Sequence, residues 1–178
     1  MSIKEREKIS KDLLDDDFDE EDENTQEDKY LTFILGNEEY GIEILHVTEI
    51  IGIQYITPVP DMPVYVKGVI NLRGKVIPVM DVRIRFSMPE KEYNDRTCII
   101  VINVNDQSVG LIVDQVSEVL DIPKTNVEPP PRVHKGEGSK FIQGMGKVGE
   151  KVKIILNADK LLQGEDLEAV QNNIAVEN

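Results

Sequence analysis

The side chains able to do chemistry in this chain are few, and their spacing decides what they can do. His46 and His134 are far apart, and neither stands in the short spacing that lets zinc ligands converge, so no metal centre is expected. His46 lies between Leu45 and Val47 and reads as a half-exposed strand residue. The single cysteine, Cys98, opens the apolar run Cys98-Ile99-Ile100-Val101, which forbids an intrachain disulfide, favours a cytosolic setting and suggests a core thiol. The stretch "GMGKVG" at 144–149 is rich in glycine but runs straight into an apolar strand instead of opening a helix. It reads as a turn, not a phosphate loop. Serines and aspartates are present, yet no histidine lies in a motif that would activate a nucleophile. The expectation is a protein that is not an enzyme and needs no cofactor. One residue is conspicuous for its setting: Arg73, in "KGVINLRGKVIPVMD" (67–81), stands where one apolar strand turns into another.

Composition bounds the elements that must position such a residue. A chain of 178 residues with 40% apolar content can fold as one ordinary domain or two small ones. Its formal charge of −14 is a poor match to a nucleic-acid backbone or an anionic membrane. No stretch reaches the ~18 consecutive apolar residues of a membrane span, and the charged N-terminus lacks a signal peptide's apolar segment. The acidity is concentrated at residues 1–28, which hold four basic and thirteen acidic side chains and leave only −5 for the remainder. That composition predicts a disordered acidic tail, although Ile3, Ile9, Leu13, Leu14 and Phe18 could form a transient docking helix. Residues 165–178 suggest a short helix that frays into a polar tail.

The ordered part repeats itself. Residues 30–53, "YLTFILGNEEYGIEILHVTEIIGI", overlay residues 99–122, "IIVINVNDQSVGLIVDQVSEVLDI", without a gap at an offset of 69. Gly41 falls on Gly110, Val47 on Val116, Glu49 on Glu118 and Ile50 on Val119. After proline-bearing connectors the match resumes at an offset of 76, where "GVINLRGKVIPVMDVRIRF" lies over "GMGKVGEKVKIILNADKLL". Each copy begins with a hairpin: "YLTFIL" and "IIVINV" end in the turn formers Gly36-Asn37 and Asn105-Asp106, with a second strand expected from Gly41 or Gly110. A later hairpin turns at Arg73-Gly74, where Gly74 suits a position of positive φ, and its counterpart turns at Gly149-Glu150. Helix is limited to single turns, at Asp81–Phe86 and Ala158–Leu162. Four or five short strands in about 70 residues cannot make a large covered sheet, so each copy should curl into a small barrel. The expected boundaries are 1–28 for the tail, 29–97 and 98–164 for the barrels, and 165–178 for the C-terminal helix and tail. Whether the two barrels exchange strands is left open.

The residues from about Lys29 to Leu162 resemble the CheW-type chemotaxis coupling proteins, most specifically in the pattern "KGVxNLRGxVIPVxDxRxRF". The resemblance implies a mainly β fold of two five-stranded SH3-like barrels side by side. It also implies a cytoplasmic adaptor, associated with membrane receptor arrays, joining the cytoplasmic tips of chemoreceptors to the regulatory domain of the chemotaxis histidine kinase. Relatives with the same fold inside a kinase, or fused to a receiver, would need further domains, so a stand-alone coupler is the expectation. The acidic leader departs from the family pattern. Carried over residue by residue, Val47, Gly68, Arg73, Gly110, Val116 and Val119 become candidates for a receptor-binding groove, and Ile44, Glu49 and Ile50 for a kinase-facing surface. For Val116 and Val119 a core role competes with contact. For Arg73 three readings stay open: a planar fork that reads a partner's carboxylates or carbonyls, a solvated turn arginine, or a partner of Glu49 within the chain. The rival function is a small β-barrel nucleic-acid or ribosome-associated module, which the charge and the scarcity of aromatics disfavour.

Overall fold

The computed structural model describes residues 26–130 and 140–163, so His134, the C-terminal segment and nearly all of the acidic tail lie outside the described residues. Eleven strands are described: β1 (Lys29–Leu35), β2 (Glu38–Glu43), β3 (Val47–Gly52), β4 (Val66–Leu72), β5 (Lys75–Asp81), β6 (Cys98–Val104), β7 (Gln107–Val113), β8 (Gln115–Asp121), β9 (Val127–Glu128), β10 (Ile142–Val148) and β11 (Lys151–Leu156). Two helical turns accompany them, α1 (Val82–Arg85) and α2 (Ala158–Leu162). The repeat is visible in their caps, since Asp81 accepts from the Ile84 N–H and the equivalent Asn157 accepts from the Lys160 N–H.

The second strand of each opening hairpin starts three residues earlier than expected, at Glu38 and Gln107 instead of Gly41 and Gly110. The cause is the turn. Asn105 and Asp106 both adopt positive φ, +52° and +63°, in a two-residue loop whose twist matches the flanking strands, so Val104 and Gln107 pair directly.

Two sheets result. One runs β8-β1-β2-β11-β10-β9, the other β3-β6-β7-β5-β4. They do not divide between residues 97 and 98, because each takes strands from both sequence repeats. The contacts that join the copies are equivalent: β2 pairs with β11 in parallel at Gly41↔Ile155, and β7 with β5 at Gly110↔Val79. The chain crosses between sheets at the 3-10 turn Ile44–His46 and again at Asp114.

Strand alternation sorts the apolar side chains. In β6, Ile99 and Val101 face a small core with Ile70, Ile77, Val79 and Ile112, while Cys98, Ile100 and Ile102 face a larger one shared by both sheets. The other sheet wraps Tyr30, Ile122 and Ile155. The fold therefore has two small interiors and one large core between them. Each fully buried aliphatic side chain contributes roughly 1.5–3 kcal/mol, so the shared core holds the sheets together as one body. Arg85 adds a polar tie: its guanidinium stacks on Tyr65 and Phe141 and donates to the Gln163 carbonyl at 3.1 Å, just past α2.

Candidate functional site

Arg73 and Gly74 form the two-residue tip between β4 and β5, closed by the pair Leu72↔Lys75. Both adopt positive φ, +52° and +83°. Glycine accepts this freely; for an arginine the left-handed region costs about 1–2 kcal/mol. The tip is braced on three sides. The Gly74 N–H donates to Asn71 Oδ1 at 2.8 Å, Lys75 Nζ reaches Ser108 Oγ at 3.3 Å on β7, and the Arg73 guanidinium donates to the Glu49 carboxylate on β3. Of the three readings of Arg73, pairing within the chain is thus realised, yet 74% of the arginine side chain stays exposed. A pair so open to water is worth about 0.2–1 kcal/mol, which leaves the guanidinium available to other acceptors.

The remaining candidates occupy different settings. Val47, Val116, Ile44 and Ile50 are buried in the shared core, and Val119 packs half-buried against it. Gly110 faces the interior of the second sheet, where a Cβ would lie 2.7 Å from both Ile99 and Val79. Gly68 has φ +144°, and a Cβ there would meet the Thr57 carbonyl at 2.1 Å. The close backbone approach inferred for these glycines is present, and the chain itself supplies it. Arg73 and Glu49 are brought into direct side-chain contact, and Val47, Val116, Ile44 and Ile50 share one core.

Two ionic groups escaped the sequence reading. Arg83 grips Asp114 through both carboxylate oxygens at 2.6 Å, and the Gly36 N–H adds a third bond at 2.9 Å. Burial pushes the Asp114 carboxyl up, but the fork of Arg83 and the Gly36 N–H outweigh it and hold the group below its usual range. Lys153 is 5% exposed and pairs with Glu39. A signal for Lys153 existed: the repeat places it on Ile77, a core residue. His46 lies 3.6 Å from Glu43, and Cys98 is a buried free thiol. Among the described residues no group of three His, Cys, Asp or Glu side chains is placed to hold a metal ion, and no helix is long and apolar enough to cross a membrane.

Two fused β-sheets around a shared core, with a braced charged hairpin tip, define a mainly β scaffold. Known proteins share it. The CheW-like domain family matches residues 29–166. The chemotaxis protein CheW of Klebsiella aerogenes is 38% identical over 144 residues, 81% of this chain and 87% of that protein. CheW of Treponema pallidum is 34% identical over 153 residues, covering 84% and 90% of the two chains. The crystal structure of the scaffolding protein TtCheW from Thermoanaerobacter tengcongensis superposes with a TM-score of 0.73 at 36% identity, over 78% of this chain and 94% of that one. The chain belongs to the CheW-like family and, like the stand-alone CheW proteins it matches, is a scaffold and coupling protein of chemotaxis and not an enzyme.

Proposed function

We propose that this protein is a cytoplasmic adaptor that couples the cytoplasmic tip of methyl-accepting chemotaxis receptors to the regulatory domain of the chemotaxis histidine kinase, within receptor arrays. The observation that carries the reading is Arg73: an arginine kept in a left-handed turn, where asparagine or glycine would be less strained, with most of its guanidinium in solvent. Such a fork is suited to the carboxylates and free carbonyls at the end of a helical hairpin. Val47, Gly68, Gly110, Val116 and Val119 would complete the receptor-facing region, the buried ones by shaping the backbone beneath it. Ile44, Glu49 and Ile50 would serve the kinase side in the same way.

Arg73→Asn is the decisive variant, because asparagine takes left-handed φ readily and removes only the fork. A charge-assisted bond is worth about 1.5–3 kcal/mol, so the Kd for a soluble receptor-tip fragment should rise roughly tenfold to a hundredfold while the melting temperature holds. Arg73→Lys should recover part of the loss. The kinase regulatory domain, titrated separately, should bind as before. Equal loss of both partners, or unchanged receptor binding, would overturn the reading.

A further inference from the structure

The tip that carries Arg73 is built unlike its repeat counterpart. At the counterpart, between β10 and β11, a glycine occupies the left-handed position: Gly149, φ +61°. That turn needs no help, and Lys147, which stands where Asn71 stands, offers no acceptor and pairs instead with Glu128. The Arg73 tip puts a bulky residue at the same step, and there Asn71 Oδ1 takes the Gly74 N–H at 2.8 Å. An asparagine that bonds a backbone N–H three residues on closes the turn from one side and fixes the twist of both central residues.

We infer that Asn71 is a positioning residue for Arg73: its side-chain carbonyl holds the tip in the left-handed turn and so keeps the guanidinium against Glu49 with its outer donors in solvent. Asn71 acts through the Gly74 N–H, and Glu49 completes the aim from β3. Without the Asn71 bond the tip loses one of its three braces, and the Arg73 guanidinium, mostly in solvent, moves more freely away from Glu49. This inference rests on the reading that Arg73 faces a partner, and its test separates the two.

The test uses the full chain and three variants, Asn71→Ala, Asn71→Asp and Asn71→Ala combined with Arg73→Ala. The first measurement needs no partner: 15N relaxation at Arg73 Nε should show an ordered group in wild type and Asn71→Asp, and a freely moving one in Asn71→Ala. The second is the Kd for a soluble chemoreceptor-tip fragment, which Asn71→Ala should raise roughly threefold to tenfold, as expected for one hydrogen bond. Asn71→Asp, which keeps the acceptor, should stay near wild type. In the Arg73→Ala background, Asn71→Ala should change nothing further. An Arg73 Nε as ordered in Asn71→Ala as in wild type overturns the inference, and so does the same loss of affinity with or without Arg73. Lost order with unchanged affinity keeps the positioning role and removes the partner from Arg73.

Discussion

Glu39→Gln should destabilise this protein far more than its position near the end of a strand suggests, and Lys153→Ile should not. In β11, Lys153 occupies the place held by Ile77 in β5, and its cross-strand neighbour Gly146 occupies the place held by Ile70. One interior therefore packs two isoleucines, 2% and 3% exposed, where the other holds a glycine and a lysine whose side chain is 7% exposed. Burying an ammonium is costly unless it is paired, and Glu39, 27% exposed, is its partner. Removing the partner of a fully buried charge costs about 3–5 kcal/mol; because Glu39 touches water, the cost falls below that range, to about 2–3 kcal/mol. For a chain of this size that lowers Tm by about 4–12 °C. Replacing Lys153 with isoleucine removes the charge and puts an apolar side chain where the sister interior has Ile77, so its cost should stay within about 1 kcal/mol. Glu39→Gln on top of Lys153→Ile should add almost nothing. Denaturant titration of the four proteins measures the coupling. Glu39→Gln within ~0.5 kcal/mol of wild type, or an equal cost from Lys153→Ile, would refute the argument that the ammonium is buried and dependent on its pair.

Glycine-to-alanine changes should rank by what the added methyl meets. Gly68→Ala, driven 2.1 Å from the Thr57 carbonyl, should cost most; Gly110→Ala should cost roughly 1–3 kcal/mol; Gly41→Ala, 3.1 Å from the movable end of Ile155, should cost least, all by thermal melts. Asp114 is held below its usual carboxyl value of 3.8, so its contribution is present above that pH and is lost as pH falls through its lower folded value. Wild type should therefore steepen in acid unfolding below about pH 4, and Asp114→Asn should flatten that limb in circular dichroism; identical limbs would contradict the assignment. Tyr93→Phe takes the hydroxyl from the buried Asp81 Oδ2, bonded at 2.7 Å, and should cost about 1.5–3 kcal/mol by the same denaturant titration.

Much of this was legible in the sequence because its signals are local. Turn formers, two-residue alternation and the offsets of 69 and 76 place the hairpins, the single helical turns that follow β5 and β11, and the tip at Arg73-Gly74. Sheet membership was not legible, because β1 carries apolar residues on both faces, and nothing local says that Gly41 must lie against Ile155 and not Val79. The site was legible in part for the same reason. A glycine signals close backbone approach without naming what approaches: Gly68 and Gly110 are filled by Thr57, Ile99 and Val79 from within the chain. The pairing of Arg73 with Glu49 is one of three readings that the sequence leaves open, and the fold, which brings β3 to the tip, decides it.

The two sheets differ in how the chain supplies them. The sheet β3-β6-β7-β5-β4 is one continuous stretch from Val47 to Val113, whereas the other joins β1 and β2 to strands that begin only at Gln115. During synthesis the continuous sheet has all its strands once Val113 has left the ribosome. The hairpin of β1 and β2, made earlier, must wait for β11, since Tyr40 pairs with Ile154. In that interval Leu31, Phe33 and Leu35, buried at the end, lack most of their cover. Closing so distant a contact is slow, because chain entropy is lost before the contact stabilises anything. The first strands made are the last to be secured, so the vulnerable moment in the life of this molecule falls on its opening hairpin, the segment nearest the acidic leader.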